Sequence, residues 1–262
     1  MYCKRIICAL IVAATVFQAF AGNGNAFSTD SCRLDSLKTE PLIHSEGRFK
    51  PTQLILPASL IAVGTFGVWN GAFHRLNHEI KDDMAEMRGN HYFHADDYIQ
   101  YLPAAAYLGM GAIGVKSKNT FTERLAAGIT AYAVMTIAVN STKYSVKEKR
   151  PDSGARNSFP SGHTATAFVG AELIRLEYGT WPAVGAYTLA TGVAFLRLYN
   201  DRHWFNDILA GAGIGILSAK VGYWMLPLYK KWFKWDKDKT MVMMSSVNVV
   251  DHNYGFCLTA LF

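Results

Sequence analysis

Ser158-Phe159-Pro160-Ser161-Gly162-His163 runs directly into the apolar stretch Thr164–Ile174, and that junction decides how the chain folds. Ser161 has the side chain of a helix N-cap, and Gly162 lets backbone come close to a ligand. A helix start offers unpaired N–H groups and the positive end of the helix dipole, which suits an anion. His163 falls in the first turn, beside any anion bound there and poised to donate a proton. Taken alone, the junction reads equally well as a satisfied cap with an incidental histidine.

Two further clusters flank it. Lys143 and Arg150 are seven apart, about two helical turns, and are expected to project from one face; Pro151 disfavours helix at Arg150 and marks the end of that element. Lys147 and Lys149 beside them also fit an ordinary basic helix end. Downstream come Arg197, His203 and Asp207. His203 and Asp207 are four apart, so on a helix Asp207 accepts the Nδ1–H of His203, fixes its tautomer and leaves Nε2 free to attack. Arg197 can grip two oxygens of a phosphoryl group at once. A surface His–Asp pair is the plain alternative. Together the clusters put three cations, two imidazoles and a carboxylate within 65 residues of otherwise apolar chain. An unpaired buried ion costs several kcal/mol, so such segments hold charge where an anionic substrate uses it.

Apolar segments recur at 54–73, 99–115, 125–141, 162–176, 181–198 and 208–229. Pro57, Pro103 and Pro182 each lie near a start, where proline is tolerated. Gly109, Gly111 and Gly114, and Gly211, Gly213 and Gly215, permit close helix approach. The expected fold is all-α: a compact, membrane-embedded bundle of about six helices with a short C-terminal β-hairpin, Met241–Val250 and Tyr254–Phe262. One hairpin cannot close a barrel, so this tail is expected to pack rather than span. The polar stretch 74–98 reads as an amphipathic helix over the bundle mouth. His74 and His78, or His91 and His94 with Asp96 and Asp97, could be drawn as metal ligands. They fit a solvated loop and helix face better, and no metal is assigned.

Half the residues are hydrophobic and 18% charged, which is apolar for a soluble enzyme and moderate for a polytopic membrane protein. The net charge of +6 suits an anionic partner, a membrane surface or a phosphate, and no motif turns it toward nucleic acid. Lys4 and Arg5, the apolar run Ile6–Phe20 and Ala19-Phe20-Ala21 resemble an export signal over 1–21. A polar arm over 22–53, the bundle over 54–229 and a basic-aromatic segment with the hairpin over 230–262 complete the organisation. Cleavage would leave Cys32 and Cys257, which could pair in an oxidising compartment; neither has a neighbouring cysteine for a metal site.

In order and spacing, Lys143-x6-Arg150-Pro151, Pro160-Ser161-Gly162-His163 and Arg197-x5-His203-x3-Asp207 resemble the three-part signature of the type 2 phosphatidic acid phosphatase and vanadium haloperoxidase superfamily. The resemblance covers roughly 54–229. It implies that Lys143, Arg150 and Arg197 hold phosphoryl oxygens, assisted by the backbone N–H groups of Ser161 and Gly162. His203 would be the nucleophile, Asp207 its orienter and His163 the acid for the leaving alcohol. No metal or other cofactor is called for, because fixed cations stabilise the developing charge. One position departs from the pattern: Leu196 stands where the family usually has serine, removing a hydroxyl contact.

The function implied is a phosphatase acting on a phosphate or pyrophosphate ester of an envelope lipid, with a lipid A-type glycolipid or undecaprenyl pyrophosphate favoured. Phosphatidylglycerol phosphate and phosphatidate are alternatives. Vanadate-dependent halide oxidation or a non-catalytic lipid-binding protein rank lower. No obligate protein partner is evident. Counting six spans, the basic loops Lys116–Arg124 and Lys230–Lys239 lie opposite the motif loops, so the positive-inside rule places the site outside the cytoplasm. An exported N-terminus with six full spans would place it inside. The expectation is an envelope-associated bacterial protein with a periplasmic site.

Overall fold

In the computed structural model, the described residues are 51–233; for two C-terminal stretches backbone alone is described. The expected signal peptide, the arm up to residue 50, the Cys32–Cys257 pairing and the side chains of the C-terminal hairpin lie outside the described residues. After a 3-10 turn at Pro51–Leu54 the helices are α1 (Ile55–Trp69), α2 (Gly71–Arg88), α3 (Asp96–Ile99), α4 (Leu102–Gly109), α5 (Phe121–Val146), α6 (Gly162–Tyr178), α7 (Thr180–Tyr199) and α8 (Phe205–Trp232). Each of the six expected apolar segments overlaps a helix, and residues 51–233 are mostly helical, as the apolar segments predicted.

Local signals set the boundaries. Asn70 caps α2 by accepting from the N–H groups of Ala72 and Phe73, which separates it from α1. Thr120 and Glu123 form a reciprocal capping box at the start of α5. Within the segment 99–115, α4 holds only eight residues because turns take over at 110–114. Such a helix is about 12 Å long, too short to span a bilayer by itself.

α5, α8 and α1 together with the 3-10 turn that precedes it (Pro51–Trp69) are long and apolar enough to cross a membrane. Their burial separates their roles: 67% of the apolar window of α8 is buried inside the protein but only 17% of that of α1. α8 is the central helix, and α1 turns Ile55, Val63, Phe66 and Trp69 outward. Ile129 and Ile137 on α5 are exposed as well, and the protein is membrane-associated. Small residues bring the other helices onto α8. A Cβ on Gly211 would lie 2.5 Å from the Ser161 carbonyl oxygen, and one on Gly215 would lie 2.5 Å from that of Ala165. α6 therefore meets α8 backbone to backbone. Inside the bundle Glu172 of α6 accepts from Arg175, from Tyr187 of α7 and from Lys220 of α8, which pins three helices through one carboxylate. At the end remote from the motifs, Glu177 accepts from the Asn119 backbone and side chain and from Tyr223. The motif loops gather at the opposite end, around the C-termini of α5 and α7 and the N-termini of α6 and α8.

Candidate active site

Asp207 is the anchor of the site. It is the third residue of α8 and reaches back to accept the Trp204 backbone N–H at 2.9 Å, as carboxylates do at helix N-termini. The same oxygen, Oδ2, accepts from His203 Nδ1 at 3.2 Å and from the Ser158 hydroxyl. All three residues are buried. The expected pair is present, but by a different route: His203 precedes the helix cap, so a turn supplies the geometry, not a helical face. Three donors on one carboxylate oxygen fix the imidazole with Nε2 uncommitted. Burial pushes the His203 imidazole down to about 4 against the pull of Asp207, with Arg197 and Lys143 pushing the same way as burial. It is therefore a neutral base at ordinary pH.

Arg197, near the end of α7, is also buried. Its Nη1 donates to Asp96 Oδ2 at 2.5 Å and lies 3.4 Å from Asp97 Oδ1. Its Nε is buried without a partner, and Nη2 has none among the described residues. A buried guanidinium edge left unsatisfied is expensive, and here it is a docking place for acceptor oxygens.

Lys143 and Arg150 come together otherwise than expected. α5 stops at Val146, Lys147 adopts a left-handed conformation, and Arg150 lies in the following loop, so the two cations do not share a helical face. The loop folds back instead: Lys143 Nζ donates to the carbonyls of Asn157 and Ser158, and Arg150 Nε donates to Asn157 Oδ1 at 2.7 Å. Burial first, and then the charge of Arg197, lower the Arg150 guanidinium below its ordinary value, which places both arginines in one field.

Ser161 caps α6 as expected, its hydroxyl accepting from Thr164 N at 3.4 Å. Its amide, expected to hold phosphoryl oxygens, instead donates to the Asp207 carbonyl at 3.1 Å. That bond ties the second motif to the third and takes the Ser161 N–H out of the anion site. The Gly162 and His163 amides open the helix with no intrahelical acceptor. His163 Nε2 lies 3.0 Å from Asp97 Oδ1, the oxygen that also faces Arg197. Burial, then Arg197, lower the His163 imidazole below its ordinary value, while Asp97 opposes them.

Several contributors escaped the sequence reading. Asp96 is completely buried against Arg197, and Asn200 joins it by donating to Asp96 Oδ1 and to the Phe93 carbonyl. The segment 93–97 is thus partly buried site wall, not simply a solvated loop. Glu148 accepts from Asn206 behind Asp207; burial and then the Asp207 charge push its carboxyl well above the ordinary range. The available signal was charge balance: a pocket of three cations calls for acids nearby, and Asp96-Asp97 was the closest unassigned pair. Asp96, Asp97 and His163 also place potential metal-ligand atoms within 4.8 Å of one another. Both carboxylates already face the Arg197 guanidinium, whose charge opposes a second cation there. The site geometry does not favour a metal at this cluster.

Residues 124–231 match the family model described as the PAP2 superfamily, a span that holds every motif residue from Lys143 to Asp207. The lipid A 1-phosphatase of Porphyromonas gingivalis is 36% identical over 212 residues, covering 78% of this chain and 46% of that protein. The chain thus spans about half the length of the curated relative it matches. Among solved structures, LpxE of Aquifex aeolicus overlaps with a TM-score of 0.42 at 22% identity, over 54% of this chain and 92% of that one. The first transmembrane PAP2-type phosphatidylglycerolphosphate phosphatase from Bacillus subtilis gives 0.48 at 18%, over 70% and 99%. Overlap at that level carries no argument about the site. The family match over 124–231 coincides with the residues that build this pocket, and this part of the chain is a PAP2 superfamily domain.

Proposed function

We propose that this protein hydrolyses a phosphate or pyrophosphate ester of an envelope lipid, a lipid A-type glycolipid first among the candidates, through a phosphohistidine on His203. The observation that carries the reading is the buried, unpartnered edge of Arg197 in the same pocket as a neutral, buried His203 held by Asp207. The similarity to a lipid A 1-phosphatase supports the substrate class.

In the proposed reaction, phosphoryl oxygens occupy the cluster of Arg197, Arg150 and Lys143 and the free amide of Gly162. The Nε2 lone pair of His203 attacks phosphorus, and the bond to the leaving oxygen breaks. That oxygen takes the proton of His163, while Asp207 stabilises the cationic imidazole. His163, now neutral, accepts a proton from water as the water oxygen attacks the phosphohistidine. The N–P bond breaks, orthophosphate leaves, and both histidines return to their starting states. An incoming dianion competes with Asp97 Oδ1 for His163 and Arg197, so the carboxylate yields its contacts when the phosphoryl group binds.

Release of phosphate from a panel of lipid phosphates tests the proposal. Wild-type protein releases phosphate from at least one of them, and His203→Ala does not; equal release by both sinks the assignment. The site is proposed to face the periplasm, following the export-like N-terminus and the basic segments at the opposite end. Single cysteines at 116–124 and 152–157 check this. The second group is labelled from the periplasm, and labelling of it from the cytoplasm alone reverses the placement.

A further inference from the structure

Beside the phosphoryl site lies a cavity of about 350 Å³ lined by Asn140, Lys143, Tyr144, Lys147, Arg156 and Asn157. It contains three cations and no carboxylate. Several cations elsewhere are paired: Arg175 and Lys220 with Glu172, Arg202 with Asp152, Lys230 with Glu123. Lys147 and Arg156 have no carboxylate partner among the described residues. Asn140, Lys143 and Tyr144 follow a spacing of three and four, so the end of α5 presents them on one side, and Lys147 follows at the helix cap. Arg156 and Asn157 line the open cavity from the loop side. Lys147 has φ 54° and ψ 35°, a left-handed conformation in which glycine is the usual helix-ending residue. Strain kept at a charged residue beside a site points to a use for that residue. Lys143 belongs to both, so the cavity adjoins the phosphoryl site.

We propose that this cavity binds a second phosphate-class anion carried by the same substrate molecule, so that diphosphoryl lipids are preferred over simple monophosphates. This rests on the reading of Lys143, Arg197 and His203 as the phosphoryl site. The second anion is either the distal phosphate of a pyrophosphate or a separate phosphate elsewhere on the headgroup, and the two are told apart by spacing.

The test compares an alkyl monophosphate, an alkyl pyrophosphate and an alkyl bisphosphate of equal chain length in mixed micelles at fixed ionic strength. Lys147→Gly removes the charge while suiting the left-handed backbone, and Arg156→Gln removes the second. In the double variant, KM for the matching diphosphoryl substrate rises about tenfold or more, the loss of charge-assisted bonds. KM for the monophosphate stays within about twofold, and Lys147→Arg alone, which keeps the charge, keeps the preference. Equal loss on all three substrates assigns the cations to general attraction of anions and overturns the subsite. No loss on any substrate overturns it as well.

Binding to the His203→Ala protein reads the cavity without turnover. Inorganic pyrophosphate or glucose 1,6-bisphosphate binds more tightly than orthophosphate or glucose 1-phosphate, and Lys147→Gly with Arg156→Gln abolishes the difference. If the wild-type protein turns over no lipid phosphate, the hydrolase reading fails, yet this binding preference still decides the subsite. Equal affinities for mono- and diphosphates, with the cavity intact, refute it.

Discussion

Replacing Arg197 by lysine keeps the charge and removes the shape. In the structure Nη1 is engaged by Asp96, while Nε and Nη2 are the guanidinium nitrogens left for a ligand. A lysine ammonium placed there meets the buried Asp96 carboxylate first, and nothing remains to hold phosphoryl oxygens. Two charge-assisted hydrogen bonds are lost, each about 1.5–3 kcal/mol. The sum is about 3–6 kcal/mol, and at about 1.4 kcal/mol per decade kcat/KM falls about 10²- to 10⁴-fold. The assay is phosphate release from the best lipid substrate in mixed micelles, with thermal unfolding as the control for folding. Because Asp96 retains a cation, the unfolding midpoint moves by only a few degrees. A variant that unfolds normally and keeps kcat/KM within about fivefold of wild type refutes the assignment of the unpaired edge to the phosphoryl group.

The two histidines set a pH profile. His203 attacks only when neutral, and its folded pKa near 4 puts the acid limb of kcat/KM far below the ordinary histidine range. His163 donates only when protonated, and burial and Arg197 lower it, so activity falls as pH rises through a value below about 6.5. Activity is highest between the two limbs, and an alkaline limb above 7 contradicts the roles. Asp97 raises the His163 pKa, so Asp97→Asn moves the alkaline limb to lower pH; an unmoved limb shows that Asp97 does not act on the acid. Gly211→Ala puts a methyl group 2.5 Å from the Ser161 carbonyl oxygen. Overpacking of this kind costs about 1–3 kcal/mol, and because Ser161 is bonded to Asp207, kcat falls along with the unfolding midpoint. An unchanged midpoint shows that the contact has slack.

The bundle was legible because apolar segment, proline and glycine positions each follow from local chemistry. Gly211 and Gly215 bear this out, since both lie where α6 backbone touches α8. So did the His203–Asp207 pair, which needs only short sequence separation. Illegible were contacts between segments far apart in sequence. Nothing in the spacing shows that Asp96 meets Arg197 across 101 residues, or that Ser158 meets Asp207 across 49. Helical periodicity also misplaced Arg150, because the left-handed turn at Lys147 is made by a residue with no sequence signature for it. The Ser161 amide was assigned to the anion on the general behaviour of helix starts, whereas the close approach allowed by Gly211 lets the Asp207 carbonyl claim it.

The central claim is that the phosphoryl group passes through His203. Rapid quenching of the enzyme with radiolabelled lipid phosphate, followed by peptide mapping, tests it most directly. The account predicts a labelled, acid-labile and base-stable phosphohistidine at His203 that forms and decays at rates compatible with turnover and is missing from His203→Ala. Label on another residue, or undiminished turnover by His203→Ala, contradicts it.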